Sequence, residues 1–236
     1  MTRPAALGLD LDGSGAPAAV QAVVFDCDGL LVDSESCWLE IVADALGARG
    51  LAADAAALAP YAGLTIADAA ARLADDDGTS AGGDAALGAA VLELRDRYTA
   101  RLEAGVATMP GAVALVEALA ARRIPIAVAS NGDRDHVRAL LEGAGLAHRF
   151  DAMVTADDVD RGKPHPEPYE RATALLGAAP ERTLAADDTA IGAAAALAAG
   201  LRVAAVNADP AVALPGHLRL TTLVELADRL GLRAAH

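Results

Sequence analysis

Short runs of apolar residues punctuate this chain at Ala22–Phe25, Pro125–Ser130, Ala152–Thr155, Thr183–Ala186 and Arg202–Val206. They lack the apolar–polar alternation of a half-exposed strand, so they read as strands covered on both faces. Between them the apolar positions change period. Val137, Leu140, Leu141 and Ala144 stand at i, i+3, i+4 and i+7, one face of a helix. Val113, Val116 and Ala120 keep a similar spacing, as do Ile191, Ala195 and Ala198. Short buried strands alternating with helices predict an α/β fold on a doubly wound parallel sheet. Such sheets bind ligands at the carboxyl ends of their strands.

One stretch interrupts the alternation. From Cys37 to Ala104 the pattern holds helices and loops but no convincing strand. Trp38, Ile41, Val42 and Leu46 form one amphipathic stripe, and Val91, Leu92 and Leu94 belong to another helix. Ala74-Asp75-Asp76-Asp77-Gly78-Thr79-Ser80-Ala81-Gly82-Gly83 reads as an exposed loop with a solvated charge run. The expected organisation is a loose N-terminal tail over 1–20, a core from 21–36 and 105–236, and an inserted helical cap over 37–104.

Composition narrows the class. Hydrophobic residues make up 54% of the chain and aromatic ones only 3%, which implies an aliphatic, alanine-rich interior. The formal charge of −14 argues against nucleic acid or an anionic membrane as partner. An anionic substrate must then be drawn in by local positive charge or a metal. Of the 19 basic residues, 18 are arginine, and Lys163 is the single lysine. Two cysteines, Cys27 and Cys37, are too few for a disulfide scaffold and fit a reduced compartment. No charge-free stretch approaches the ~18 residues of a membrane span. A cytoplasmic, monomeric protein is the default expectation.

The polar residues at the strand ends then supply the chemistry. The first strand runs into Asp26-Cys27-Asp28-Gly29. Two aspartates at i and i+2 share a face if the strand continues; if it ends between them, they offer one side chain and one backbone carbonyl. Either way negative charge is crowded, at a cost that a cation or a shared proton relieves. Ser130, with Asn131-Gly132 behind it, ends the second strand and opens a helix; Lys163 follows the third by a short loop; Asp187-Asp188-Thr189 ends the fourth. A parallel sheet gathers all of these at one edge. Hard carboxylate oxygens suit Mg²⁺. Ser130 at a helix N-terminus is an anion seat, and Lys163 is a compact charge for a phosphate oxygen. In such a set Asp26 can act as nucleophile through an aspartyl phosphate, and Asp28 as acid and then base.

These motifs, in this order, resemble those of the haloacid dehalogenase (HAD) superfamily, on the side of its phosphatases and phosphomutases. Phe25-Asp26-Cys27-Asp28-Gly29-Leu30-Leu31-Val32-Asp33-Ser34 is similar to the first motif, Ala129-Ser130-Asn131-Gly132 to the second and Gly162-Lys163-Pro164 to the third. Asp187-Asp188-Thr189-Ala190-Ile191-Gly192 resembles the fourth, where Glu-Asp-Ser is more usual. The resemblance implies a Rossmann-like core with an inserted α-helical cap of the first type. It makes Asp26 nucleophile and metal ligand, and Asp28 the acid/base with its backbone carbonyl on the metal. Ser130, Asn131 and Lys163 bind phosphate, Asp188 binds the metal, and Asp187 is a further, less direct candidate. Dehalogenases and phosphonate hydrolases of the superfamily lack the second aspartate, so Asp28 points away from both. The gap from Lys163 to Asp188 leaves no room for a second cap.

Ala62-Gly63-Leu64-Thr65-Ile66 resembles a cap loop that faces the active site in this family, which makes Gly63, Thr65 and Ile66 candidate specificity residues. In β-phosphoglucomutases an arginine usually follows the Ser/Thr of that loop and grips a second phosphate. Here the position is Ile66, and Arg72, further along, is expected to face elsewhere. The expectation is therefore a Mg²⁺-dependent phosphatase acting on a small phosphorylated metabolite, a sugar or sugar-acid phosphate. The alternatives are a β-phosphoglucomutase-like isomerase and, from another class, a phospho-acceptor receiver domain, against which the inserted helices speak. A second Asp-x-Asp-Gly at Asp10-Leu11-Asp12-Gly13 follows a weak strand and precedes no helix, so it reads as part of the tail. Cys27 and Trp38 are expected to be packing residues, and His165 a surface residue.

Overall fold

A computed structural model of the chain describes residues 7–9, 18–79 and 83–232. The chain divides into two compact units, residues 33–107 and the remainder. These bounds lie a few residues outside the 37–104 expected for the helical insertion.

The larger unit begins with two short strands, β1 (Leu7–Leu9) and β2 (Ala18–Val20), paired antiparallel. Leu9 and Val20 are fully buried. The segment expected to be a loose tail is therefore folded in part. Three-residue strands are too short for periodicity to register, and here each supplies the other's backbone hydrogen bonds. Asp10 and Asp12 lie outside the described residues.

Six strands form the main sheet: β3 (Ala22–Phe25), β4 (Ile126–Ala129), β5 (Ala152–Val154), β6 (Thr183–Asp187), β7 (Arg202–Val206) and β8 (Leu218–Leu220). Their order is β5-β4-β3-β6-β7-β8 and every pairing is parallel. β3 pairs with β4 on one side and β6 on the other, so the winding reverses beside it. The crevice at its carboxyl end is the switch point where such sheets bind ligands. All residues of β3 and β4 are buried, which is why their sequence shows no alternation. β8 escaped the sequence reading because it is a three-residue edge strand; Arg219 in it donates to the carbonyls of Asn207, Asp209 and Leu220.

The smaller unit is helical: α1 (Ser34–Ala48), α2 (Ala55–Leu58), α3 (Ile66–Asp76) and α4 (Gly83–Glu103). Trp38, Ile41, Val42 and Leu46 are all buried, and Trp38 Nε1 donates to the Tyr61 carbonyl at 3.0 Å. The run from Ala74 to Thr79 differs from its reading as a solvated loop, and residues 80–82 of that reading lie outside the described residues. Ala74 to Asp76 complete α3, Tyr61 donates to Asp76 at 2.6 Å, and Arg49 bridges Asp77 at 2.8 Å and Glu93 at 2.6 Å. Spacing along the chain could not show these partners, which lie up to 44 positions away.

The sheet is flanked by α5 (Ala112–Ala121), α6 (Arg134–Gly143), α7 (Glu167–Leu175), α8 (Ala190–Ala198) and α9 (Leu223–Arg229). In α6 the spaced residues Val137, Leu140 and Leu141 are buried as expected. In α5 and α8 the helices form where expected, but Val113 and Ile191 are exposed. The buried faces are Ala112, Leu115, Val116 and Leu119 in α5, and Gly192, Ala193, Ala195 and Ala196 in α8. A helix apolar on most sides carries several stripes of helical spacing, and packing selects one. Among the described residues no helix is long and apolar enough to cross a membrane.

Candidate active site

β3 ends at Phe25, before either aspartate, and Asp26 N continues the pairing by donating to the Ala186 carbonyl at 3.0 Å. The two carboxylates then part company. Asp26 is 7% exposed and accepts from Lys163 Nζ at 2.7 Å. Asp28 lies within reach of Ser130 Oγ at 3.5 Å through Oδ2 and of His136 Nε2 at 3.3 Å through Oδ1. Cys27 between them is fully buried and packs as expected.

Lys163 is held by four residues, Asp26 among them. Its ammonium also reaches Asp187 Oδ2 at 2.8 Å and lies 4.9 Å from the centroid of the Tyr169 ring. Its backbone is gripped by Asn131, whose Oδ1 accepts from Lys163 N at 2.8 Å and whose Nδ2 donates to the Lys163 carbonyl at 3.1 Å. The Asn131 side chain, expected to help bind phosphate, orients the lysine loop through these two bonds. Asp187 is fully buried and accepts four hydrogen bonds. Lys163 and the Tyr169 hydroxyl, at 2.5 Å, reach Oδ2; the backbone and hydroxyl of Thr189 reach Oδ1 at 2.9 and 2.8 Å. Burial pushes the Tyr169 phenol far up, so it remains a donor. With four hydrogen bonds on its two oxygens, Asp187 is engaged in anchoring Lys163.

Ser130, expected to open a helix directly, lies three residues before the α6 cap. Its Oγ accepts from Gly132 N at 3.0 Å in a tight turn, while Asp133 caps α6 by accepting from His136 N at 2.8 Å. A carboxylate there also suits the helix dipole. His165 stays partly exposed beside Glu167, as a surface residue would.

Asp26, Asp187 and Asp188 each bring a carboxylate oxygen within 4.8 Å of the others. Asp188 Oδ1 is buried with no hydrogen-bond partner among the described residues. Three carboxylates against one ammonium leave two negative charges uncancelled, the charge a divalent cation carries. Hard oxygen donors with an orphaned carboxylate oxygen fit such an ion. Without it, burial pushes Asp26 up to about 8 despite the pull of Lys163, and the Asp187 and Asp188 charges add to the rise. Burial likewise takes Asp188 up to about 6, with Asp187 contributing. Burial works against the Lys163 ammonium, but Asp26 and Asp187 outweigh it and raise its pKa. His136 is raised chiefly by its bond to Asp28.

Two glycines make this crowding possible. Gly29 has φ +74°, and a Cβ there would meet Asp188 Oδ2 at 2.6 Å. A Cβ on Gly192 would fall 1.9 Å from Asp187 Oδ2. Tyr169 and His136 were missed in the sequence. Tyr169 carries no signal, since its role depends on α7 packing beneath the sheet edge. His136 could have been found: it lies in the first turn of a helix that starts at that edge, and helical side chains lean toward the N-terminus.

Gly63, Thr65 and Ile66 belong to the helical unit. Gly63 N donates to Glu35 Oε1 at 3.2 Å, Thr65 caps α3, and Ile66 is its first residue. Arg72 lies over the Tyr61 ring at 5.3 Å, with Asp76 at 3.7 Å, so it is engaged within that unit.

The family model described as haloacid dehalogenase-like hydrolase matches residues 23–206. The validoxylamine A 7'-phosphate phosphatase of Streptomyces hygroscopicus subsp. limoneus is 32% identical over 77% of this chain and 83% of its own length. The phosphoglycolate phosphatase of Rhodospirillum rubrum is 32% identical over 89% and 91%. A HAD family hydrolase from Deinococcus radiodurans, crystallised with phosphate and sodium, is 30% identical with a TM-score of 0.68, covering 93% of this chain and all of its own. A putative β-phosphoglucomutase from Thermotoga maritima shares the fold at a TM-score of 0.75 and 22% identity, over 90% of this chain and 99% of its own.

Proposed function

Since the chain belongs to the haloacid dehalogenase-like hydrolases, we propose that it is a Mg²⁺-dependent phosphatase that cleaves a small phosphomonoester, a sugar or sugar-acid phosphate, through an aspartyl phosphate. The observation that carries this reading is the separation of the two aspartates: Asp26 against Lys163, Asp28 against Ser130 and His136. A nucleophile and an acid/base need different surroundings, and these two carboxylates have them.

The chemistry follows from the residues. A carboxylate oxygen of Asp26 bonds to phosphorus as the ester P–O bond breaks, and the departing oxygen takes the proton of Asp28. Asp28, now a carboxylate, removes a proton from water; the water oxygen bonds to phosphorus and the Asp26–phosphorus bond breaks. Inorganic phosphate leaves and both aspartates return to their first state. Lys163 and the Ser130 hydroxyl face the charge on the phosphoryl oxygens. Asp26, Asp188 and the Asp28 carbonyl would hold Mg²⁺, which supplies charge to balance the carboxylates and the phosphate.

The phosphate esters named for the two relatives support a small substrate. Ile66, standing where mutases usually carry a phosphate-gripping arginine, favours hydrolysis over isomerisation, and Gly63, Thr65 and Ile66 are the positions assigned to substrate choice. The division into a catalytic core over 21–36 and 105–236 and a cap over 37–104, the latter within the compact unit 33–107, belongs to the same reading. The test is a screen of 2-phosphoglycolate, hexose and pentose phosphates with Mg²⁺, with Asp26→Asn as control. Phosphate release by the wild type and its abolition in a folded variant are expected. Retained turnover in Asp26→Asn refutes the mechanism, and isomerisation of a sugar phosphate in the presence of its bisphosphate would make the protein a mutase.

A further inference from the structure

The proposed steps use Asp28 twice, and its carboxylate must point at the reacting oxygen each time. Its Oδ2 meets Ser130 Oγ and its Oδ1 meets His136 Nε2 at 3.3 Å. His136 is fixed for this contact. Its backbone N donates to the Asp133 cap, it lies in the first turn of α6, and its side chain leans back toward the sheet edge. Gly132 leaves room for the ring there: a Cβ on it would lie 3.1 Å from His136 Cδ2, a contact tighter than usual that the ring would relieve by a small shift. The imidazole is partly buried, with a side-chain exposure of 30%, beside an aspartate at 37%.

We infer that His136 is a positioning residue, which steers the Asp28 carboxyl toward the ester oxygen that leaves phosphorus; the inference rests on the acid/base reading of Asp28. Ser130, at 3.5 Å, is by itself a weak restraint on the Asp28 carboxylate. A second contact on the other oxygen stops rotation about the Cβ–Cγ bond. The gain falls on the step in which the alcohol must be protonated as the P–O bond breaks.

Leaving-group dependence tests this directly. An alkyl ester needs the proton of Asp28, whereas p-nitrophenolate leaves well without one. The parameter is kcat/KM, which covers only the steps up to transfer onto Asp26. The probes are p-nitrophenyl phosphate and the fastest alkyl ester among 2-phosphoglycolate, glucose 6-phosphate and ribose 5-phosphate. His136→Ala should lower kcat/KM for the alkyl ester about tenfold or more, part of the ~10²–10⁴ that proton transfer contributes, and leave the aryl ester within about threefold. His136→Gln, whose amide reaches about as far as Nε2, should recover most of the loss and serves as the folded comparison if the alanine variant is unstable. Equal losses on both esters, or no loss on either, overturn the inference. Asp28→Asn separates the two levels of the argument. If it too hits both esters alike, the acid/base reading fails; if it is selective while both His136 variants are not, only the role of His136 fails.

Discussion

Replacing Asp187 by asparagine removes one charge while keeping the shape of the side chain. The carboxylate accepts four hydrogen bonds, two on each oxygen, in a place with no solvent exposure. Asparagine has one oxygen and one NH₂, so whichever way the amide turns, the NH₂ faces two donors. The hydroxyls of Tyr169 and Thr189 can rotate to accept, but the Lys163 ammonium and the Thr189 backbone amide cannot. One buried donor is left unsatisfied, at about 1–3 kcal/mol. At 2.8 Å the Lys163–Asp187 attraction is about 6 kcal/mol for an effective dielectric of ~20, and much of it is offset because a buried charge no longer has to be desolvated. Asp26 still faces Lys163, so a net loss of about 3–5 kcal/mol is expected, as for breaking a buried ion pair. For a chain of this size that lowers Tm by roughly 6–20 °C. Calorimetry or circular dichroism on wild type and variant reads the shift, and titration calorimetry reads Mg²⁺ binding. As an anchor of Lys163, Asp187 should affect Mg²⁺ affinity by no more than about 10–100-fold. A variant that melts within about 2 °C of wild type and binds no Mg²⁺ would make Asp187 a ligand and refute the argument.

Two further outcomes follow from the same site. Gly29→Ala forces a left-handed backbone on alanine and pushes on Asp188, so a stability loss of about 1–2 kcal/mol should come with a higher Mg²⁺ requirement for phosphate release; an unchanged Mg²⁺ dependence would show that Asp188 does not hold the ion. Asp26 and Asp188, held at about 8 and 6 against an ordinary 3.8, keep protons in the folded metal-free protein that the unfolded chain gives up. Their stabilising contribution is therefore present at low pH and lost as pH rises toward 8. The rise in Tm on adding Mg²⁺ should grow between about pH 5 and 8, and a flat increment would contradict the buried, proton-holding carboxylates.

The sequence and the structure agree where a single local signal decides. β3 and β4 are unbroken apolar runs and β6 is apolar from Leu184 to Ala186, and each leads straight to a polar residue of the site, so strand and chemistry could be read together. Buried helix faces were less legible, because alanine in α5 and α8 is apolar on every side and only the packed structure selects one. Asn131 and Asp187 were recognised as members of the site, but not for what they touch. Their partners, the Lys163 peptide and the Tyr169 hydroxyl, are brought in by loops and helices distant in sequence. The hairpin of β1 and β2 lies below the length at which a repeat of two can be recognised.

The junctions of the helical unit carry a consequence for how this chain can change. Val32 is bridged to Thr108, Met109 N donates to the Leu31 carbonyl at 3.0 Å, and Asp33 N to the Ala107 carbonyl at 2.9 Å. The excursion thus departs and returns through neighbouring backbone, like a purse closed by its own drawstring. With its ends already tied, doubling the length between them adds only about 0.6 kcal/mol of closure entropy. Helices can be lengthened, trimmed or exchanged there by recombination while β3 and the residues after it keep their register. Residues 33–107 are in that sense a cassette, on which a lineage can experiment without rebuilding the sheet.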